Sequence, residues 1–176
     1  MTSSRESSER ESSETGANDW TPYQKESDIL RILSSMKTVA VVGLSANELR
    51  ASNFVGFYLG RHDYHIVPVN PREKTILDRI SHASLKDIPI PVDVVNVFRA
   101  PAAVPAIAKE AVQIGAKCLW LQFGVISPEG IAIAEEGGLD VIVDRCIKVE
   151  HARYMGRMHW LGFNTGQVTS RRGKLQ

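Results

Sequence analysis

The chain has 176 residues, which is the size of one domain with short extensions, and its formal net charge is only +1. A hydrophobic fraction of 43% is enough to form a core, whereas no apolar run approaches the ~18 residues of a membrane-spanning helix. The weak net charge gives no reason to expect binding to nucleic acid or to a membrane, and the N-terminus lacks the apolar region of a signal peptide, so we predict a soluble cytoplasmic protein.

Residues 1–26 differ in composition from the rest of the chain. The first 15 residues contain six serines and four glutamates, and no branched aliphatic residue. Such a segment cannot bury enough apolar surface to offset the entropy lost on ordering, so we predict a disordered acidic tail over residues 1–26. This tail has a net charge of −3, which leaves +4 on the remaining residues. We expect one domain over residues 27–172, followed by a short C-terminal end at 173–176.

The body of the chain alternates between short β-rich runs and helical patterns. Strands are predicted, in chain order, at 38–42, 64–69, 93–98, 117–121 and 139–143. Helices are predicted at 27–36, 51–61, 101–114, from the cap at Ser127 to about Glu136, and at 148–157. Because strands rich in Val and Ile that are separated by helices form βαβ units, we expect a single doubly wound, Rossmann-like α/β domain with a five-stranded parallel sheet.

Ligands of such sheets bind outside the carboxyl ends of the strands, so the candidate site lies in the segments that follow the five strands. In chain order, these segments are Gly43-Leu44-Ser45, Asn70-Pro71-Arg72, Phe98-Arg99, Gln122-Phe123-Gly124 and Asp144-Arg145-Cys146. Their position predicts where a ligand binds and does not define a reaction.

The turn after the first strand departs from the dinucleotide-binding fingerprint. Only Gly43 of the three required glycines is present, and the second strand ends in Asn70 instead of an acidic residue. Both departures argue against ordinary NAD binding. Gly43 and Ser45, followed by Arg50 and Ser52 near the start of a helix, suit a phosphate group, because helix N–H groups, hydroxyls and a guanidinium are all donors. Simple helix capping by the two serines is the alternative, and the sequence leaves both interpretations open.

Three basic residues follow the second and third strands. Arg72 and Lys74 lie where the ribose of a bound nucleotide is expected, which suits a phosphorylated ribose such as that of NADP or coenzyme A. A solvated loop charge is the alternative for both. Arg99 directly follows a buried strand, where it either pairs with a phosphate or caps the strand end through a salt bridge.

The two cysteines are too few for a disulfide framework, and no metal site is predicted. Cys118 lies within a strand and is predicted to be an inert core residue. Cys146 lies beside Arg145 at the start of a helix, where N–H groups and a cation lower the pKa of a thiol. We therefore treat Cys146 as a candidate reactive thiol, with a small packed residue as the alternative. Glu150 and His151 in the following helix are expected at the surface. No nucleophile–base pair with a supporting acid is recognisable.

Several motifs, in this order and at these separations, resemble one known family over about residues 27–172. The motifs are VAVVGLS (39–45), the pair Arg50 and Ser52, VPVNPR (67–72), PVDVVNVFR (91–99), IGAKCLWLQFGV (114–125), GLDVIVDRC (138–146) and GFNTGQVTSRR (162–172). The chain resembles the small stand-alone CoA-binding proteins, whose CoA-binding Rossmann domain is related to the N-terminal domain of the succinyl-CoA synthetase alpha subunit.

This resemblance implies that coenzyme A, or an acyl-CoA, binds across the ends of the first three strands. The implied site comprises four groups of residues. They are Gly43, Ser45, Arg50 and Ser52 at the phosphates; Asn70, Pro71 and Arg72 at the adenine and ribose; Phe98, Arg99 and Ala100 as the floor; and Gln122, Phe123 and Gly124 towards the pantetheine.

The expected function is to hold CoA or a short acyl-CoA in an accessory or regulatory role. The resemblance does not extend to ligase chemistry, because the chain has no room for the second domain with the phosphorylated histidine and lacks the partner that binds nucleoside triphosphate. Two alternatives stay open: an acyl-CoA or thiol-transfer enzyme that uses Cys146, and an NADP-binding regulator.

Overall fold

A parallel sheet of five strands forms the centre of the protein, as seen in a computed structural model that describes residues 19–156. The strands in chain order are β1 (Thr38–Val42), β2 (His65–Val69), β3 (Thr75–Ile76), β4 (Arg79–Ile80), β5 (Val94–Val97), β6 (Cys118–Leu121) and β7 (Asp140–Ile142). Five of them form the sheet in the order β2-β1-β5-β6-β7, and β3 pairs with β4 in a separate antiparallel hairpin. The predicted fold class, with its five-stranded parallel sheet, is confirmed.

Helices cover both faces of the sheet. They are α1 (Glu26–Ser35), α2 (Ala51–Gly60), α3 (Val104–Gln113), α4 (Pro128–Glu136) and α5 (Ile147–Tyr154). Helices α1, α2 and α5 bury their apolar residues against one face, and α3 and α4 cover the other. In the sheet, Asn96 of β5 pairs with Val41 of β1 on one side and with Trp120 of β6 on the other. In the described part of the chain, none of the helices has the length and apolar character needed to cross a bilayer.

Most predicted boundaries lie within one residue of the observed ones, and the departures have local causes. The predicted helix at 101–114 begins instead with a 3-10 turn at Pro101–Ala103, before α3 starts at Val104. The β3–β4 hairpin was not predicted, because strands of two residues are too short to show alternation. Its turn uses Leu77 and Asp78, both with left-handed backbone angles (φ 52° and 57°).

The segment after the hairpin lies along the outer edge of β2. The backbone N–H of His82 donates to the carbonyl of Pro68 at 2.9 Å, and the N–H of Asn70 donates to the carbonyl of His82 at 2.9 Å. His82 thus forms an isolated parallel bridge with Val69. This pairing covers the carboxyl half of the edge strand.

Part of the predicted tail packs onto the domain. Trp20 and Tyr23 contact the core on the α3–α4 face of the sheet. The side-chain amide of Gln24 donates to the carbonyl of Val143 at 3.0 Å, and a guanidinium nitrogen of Arg145 donates to the Gln24 side-chain oxygen at 2.9 Å. The packed domain therefore starts before residue 27, because two aromatic side chains and one amide anchor a segment of otherwise polar composition. Residues 1–18 lie outside the described residues, and their predicted disorder stays a prediction.

The expected surface position of Glu150 is wrong. This side chain is 0% exposed and forms ion pairs with Arg153 at 3.0 Å and with Arg145 at 3.7 Å. Burial raises the pKa of the Glu150 carboxyl, and the two guanidinium groups oppose that rise. The prediction failed because α5 packs against both α1 and α2, so little of this short helix faces solvent.

The expected surface position of His151 is wrong as well. His151 is 4% exposed, its Nδ1 lies 3.1 Å from the hydroxyl of Tyr58, and its ring meets the rings of His62 and Tyr64 edge-on. Burial, with a smaller contribution from His62, lowers the pKa of His151 to about 4. The imidazole is therefore neutral in the folded protein at neutral pH.

Candidate functional site

The candidate site lies where β1 meets its two neighbours in the sheet. From β1 the chain passes through α2 to β2 on one side, and it later enters β5 on the other side of β1. The helices that follow β1 and β5, α2 and α3, lie on opposite faces of the sheet, so the loops that lead to them diverge. A divergence of this kind opens a crevice at the carboxyl ends of the strands, which is where ligands of such sheets bind.

Gly43 allows the loops at this crevice to approach each other closely. Its backbone has φ +86°, and its N–H donates to the carbonyl of Val69 at 2.9 Å. A Cβ atom at Gly43 would lie 2.9 Å from the carbonyl oxygen of Phe98 and 2.8 Å from Cδ of Arg99. Only glycine therefore fits this position, and the side chain of Arg99 lies across it.

The loop between β1 and α2 is held by its own polar side chains. The hydroxyl of Ser52 accepts from the N–H of Ser45 at 3.1 Å, and the hydroxyl of Ser45 accepts from the N–H of Asn47 at 3.1 Å. The amide of Asn53 donates to the Ser45 carbonyl at 2.9 Å. The N-cap of α2 is Arg50, with no side-chain capping bond. Helix capping by the two serines is therefore wrong, since their hydroxyls support the loop instead.

Asn70 joins the ends of two strands. Its amide nitrogen donates to the carbonyl of Leu44 at 2.9 Å, while its amide oxygen accepts from the N–H of Arg72 at 3.0 Å. This double role explains why an amide, with both a donor and an acceptor, replaces the acidic residue of the dinucleotide fingerprint. The side chains of Pro71 and Arg72 are exposed beyond it.

Four cations border this edge of the sheet. Arg50, Arg72, Lys74 and Arg99 are all exposed. None of the four forms an ion pair with another residue in the range 19–156. The alternative in which Arg99 caps its strand through a salt bridge therefore has no partner among the described residues, and the charge of each of these side chains is available to a ligand.

A cavity of about 250 Å³ opens at the crevice. Its lining combines the ends of β1 and β2 with the loop after β5 and one face of α3; it includes Gly43, Asn70, Pro71, Arg99, Ile107 and Glu110. A larger cavity of about 570 Å³ lies between α2 and the β3–β4 hairpin. We place the candidate site at the smaller cavity, because four residues predicted from the strand ends converge there.

The three residues predicted to lie towards the pantetheine, Gln122, Phe123 and Gly124, differ in exposure. Gln122 is 3% exposed, and its amide nitrogen donates to Oδ1 of Asn96 at 2.5 Å, so this side chain supports the site from beneath. The N–H of Gly124 donates to a carboxylate oxygen of Asp144 at 2.8 Å, which joins the loops after β6 and β7. Phe123 and Phe98 are half-buried, while Ala100 and Gly124 are exposed.

The two cysteines differ in burial. Cys118 is 1% exposed within β6, and burial raises the pKa of its thiol strongly, which confirms the predicted core position. Cys146 is half-buried at the N-cap of α5, and burial raises the pKa of its thiol even though the N–H groups of Val149 and Lys148 oppose the rise. The predicted lowering of this pKa by the helix N-terminus is wrong, because desolvation is the larger effect.

Sequence reasoning missed several cavity residues at the N-cap of α3 and along that helix. Ala103, Ala106, Ile107 and Glu110 all line it. Their spacing places them on one face of the helix, so a carboxylate on an otherwise apolar helical stripe was the available signal. Asn53, which holds the Ser45 carbonyl, was the other omission; it is a buried polar residue within an apolar helix pattern.

Comparisons with known proteins show which sequences and structures this chain resembles. Residues 37–152 match the family described as CoA binding domain. The uncharacterised protein YneT of Bacillus subtilis (strain 168) is 40% identical over 125 residues, which cover 71% of this chain and 93% of YneT.

Solved structures show the same relationship. A hypothetical protein from Pyrococcus horikoshii OT3 is 36% identical, with a TM-score of 0.74 over 75% of this chain and 93% of that protein. A Thermus thermophilus protein is 35% identical, with a TM-score of 0.70 over 74% of this chain and 98% of that one. A dinucleotide-forming acetyl-coenzyme A synthetase from Ca. Korarchaeum cryptofilum shares the fold alone, at 19% identity and a TM-score of 0.54 over 60% of this chain and 25% of that protein. The chain therefore belongs to the CoA binding domain family.

Proposed function

We propose that the protein binds coenzyme A, or an acyl-CoA, at the carboxyl edge of its sheet, and that its role is accessory or regulatory. The observation that carries this proposal is a glycine turn at the edge of a cavity that Arg99 lines, with three further exposed cations in the loops after β1 and β2. None of these four cations forms an ion pair among residues 19–156. Coenzyme A is a phosphate-rich ligand, and guanidinium groups together with free backbone N–H groups are the donors that phosphates prefer.

The supported loop between β1 and α2 favours the same conclusion. Its carbonyls and hydroxyls are fixed by Asn53, Asn70 and Ser52, so the loop is already formed before a ligand arrives. A preformed loop loses less conformational entropy on binding than a loose one. Arg72 lies beyond the end of β2, where the phosphate on the ribose of CoA is expected.

Two alternatives are less well supported. A thiol-transfer enzyme needs a thiolate, whereas burial raises the pKa of Cys146. An NADP-binding regulator would also use Arg72, but the family match favours CoA, and the turn after β1 has one glycine of the three in the dinucleotide fingerprint.

Thermal shift and calorimetry with CoA, acetyl-CoA, NADP, NAD and ATP side by side test the proposal. A ligand that binds only the folded state adds about 2.7 kcal/mol of stability at 100 times its dissociation constant. We expect CoA and acetyl-CoA to stabilise the protein most, and tighter binding of NADP or NAD would contradict the proposal. Incubation with acetyl-CoA should release no free CoA thiol; thiol release that depends on Cys146 would contradict the accessory role.

A further inference from the structure

The cavity at the candidate site is polar at its two ends and mostly apolar between them. Arg99 lies at the glycine turn, where its side chain passes within contact distance of Gly43. Glu110 lies on α3, about seven residues beyond Ala103 at the N-cap of that helix, or roughly 10 Å at 1.5 Å per residue. Pro71 and Ile107 contribute apolar surface between these ends. The cavity therefore suits a mainly apolar group that has a hydrogen-bond donor at one end and is attached to an anion at the other.

The Glu110 carboxylate is held in place by one oxygen and leaves the other one unused. Its Oε2 accepts from the backbone N–H of Leu85 at 3.1 Å, and Leu85 is 1% exposed, so this anchor is rigid. Within residues 19–156, Oε1 of Glu110 has no hydrogen-bond donor. Glu110 is half-buried, and a carboxylate is an acceptor only, so the free oxygen can accept from an N–H or O–H group of an occupant of the cavity in place of solvent.

We infer that Glu110 binds the 6-amino group of adenine, with the base between Pro71 and Ile107 and the phosphates towards Arg99. This inference rests on the proposed function, since it assumes that the ligand is CoA. Adenine joined to ribose presents acceptors at its ring nitrogens and a donor only at its exocyclic amino group. The acceptor-only carboxylate is therefore complementary to one edge of the base and repels the others. Glu110 in this role selects the orientation of the base.

A purely structural role for Glu110, as the anchor of Leu85, makes a different prediction. Loss of such an anchor would weaken the binding of every ligand of the cavity by a similar factor. Direct contact with the 6-amino group instead makes the effect of the substitution depend on that group. The ratio of two affinities separates the two roles, whereas a single affinity does not.

The experiment measures the affinity of CoA, and of a CoA analogue with hydrogen in place of the 6-amino group, by calorimetry. The proteins are wild type, Glu110→Gln, Glu110→Ala and, as a matched control, Glu136→Gln on the exposed surface of α4. Glu110→Gln keeps an oxygen for the Leu85 N–H, so this variant is expected to fold even where the alanine variant is destabilised. Thermal melts verify the fold of each protein.

We expect wild type and Glu136→Gln to bind CoA at least about tenfold more tightly than the analogue, because the analogue lacks the hydrogen bond to the charged carboxylate. The preference should decrease in Glu110→Gln and approach unity in Glu110→Ala. An unchanged preference in both Glu110 variants, or no preference in wild type, would overturn the inference while CoA binding itself still holds. Failure of wild type to bind either compound would instead contradict the proposed function.

Discussion

Two helices on the same face of the sheet, α2 and α5, begin at the same edge and differ in what surrounds their first turns. The turn before α2 contains Gly43, carries its polar groups on a fixed loop and is bordered by exposed cations. The turn before α5 contains the half-buried Cys146 and leads directly to the buried Glu150. Both satisfy the rule that ligands bind beyond strand ends. Their surroundings differ: exposed cations border the first turn, whereas Cys146 in the second turn packs against the core and the helix after it carries a buried ion pair.

The largest expected loss of stability comes from a substitution that breaks the buried ion pairs of α5. Glu150→Ala leaves Arg153 buried without its carboxylate, and removal of one partner from a buried pair costs about 3–5 kcal/mol. Urea unfolding should show this loss, while the exposed control Glu136→Ala should change stability by less than about 0.5 kcal/mol. CoA affinity of the folded fraction should stay the same; selective loss of CoA binding at full stability would place the ligand at α5.

The next effect is a dependence of stability on pH that arises in the same helix. The pKa of His151 is lowered to about 4 in the folded protein, against an ordinary value near 6.5, so the unfolded chain binds this proton first. Stability should therefore be independent of this group above about pH 6.5 and should fall by about 3 kcal/mol as the pH decreases towards 4.

Unfolding measured at several pH values checks the contribution of His151. His151→Leu should flatten the curve between pH 6.5 and 4, whereas His65→Gln, at an exposed position, should leave it unchanged. An identical pH dependence in wild type and His151→Leu would contradict the buried neutral imidazole.

Gly43→Ala tests the turn before α2 through its effects on stability and on CoA affinity. A Cβ atom would approach the Phe98 carbonyl to 2.9 Å, in addition to the strain of a left-handed alanine, for a total of about 2–3 kcal/mol. Gly138→Ala is the matched control, because Gly138 has φ +78° with no atom within 4 Å of the added Cβ. The control should lose only about 1 kcal/mol and keep CoA binding. Equal effects of both substitutions, in stability and in affinity, would show that the close approach at Gly43 is unimportant.

Arg72→Ala should affect the ligand more than the fold. We expect CoA affinity to fall about tenfold, or about 1.5 kcal/mol, through loss of a charge-assisted hydrogen bond to the phosphate on the ribose. Dephospho-CoA, which lacks that phosphate, should lose much less. Arg61→Ala, another exposed arginine that stacks on Phe57, serves as the control and should change neither affinity. A similar loss of affinity for both ligands would show that Arg72 contacts a part of CoA other than the phosphate on the ribose.

The smallest effect concerns the thiols. Cys146 should react with an alkylating reagent faster than Cys118, because it is half-buried while Cys118 is enclosed in β6. The reaction should still be slow, since burial raises the pKa of both thiols. Timed alkylation with peptide mapping measures the two rates. If Cys146 were labelled rapidly and CoA prevented that labelling, Cys146 would be a reactive thiol at the ligand site. The contrast between the two turns would then be wrong.

The sequence predicts the five strands of the parallel sheet well because each is a mostly apolar run between polar segments, a pattern that depends on local residues alone. The burial of Glu150 and His151 depends on contacts of α5 with two other helices, and adjacent residues reveal nothing of such distant contacts. The site shows the same division. Gly43 and the cations follow from strand ends, whereas the bonds of Asn70 to Leu44 and of Glu110 to Leu85 join segments that are 26 and 25 residues apart.

The segment along the outer edge of β2 has a consequence for solubility. An unpaired edge strand is a template for pairing with other chains, and His82 occupies the hydrogen-bonding positions that Pro68 and Asn70 would otherwise offer. The residues that follow, Ala83 to Leu85, form one wall of the candidate ligand cavity. The same short stretch thus shields the sheet from intermolecular extension and lines the candidate cavity. Occupancy of the cavity by a ligand should hold this shield in place, so ligand binding and resistance to aggregation depend on one segment of the chain.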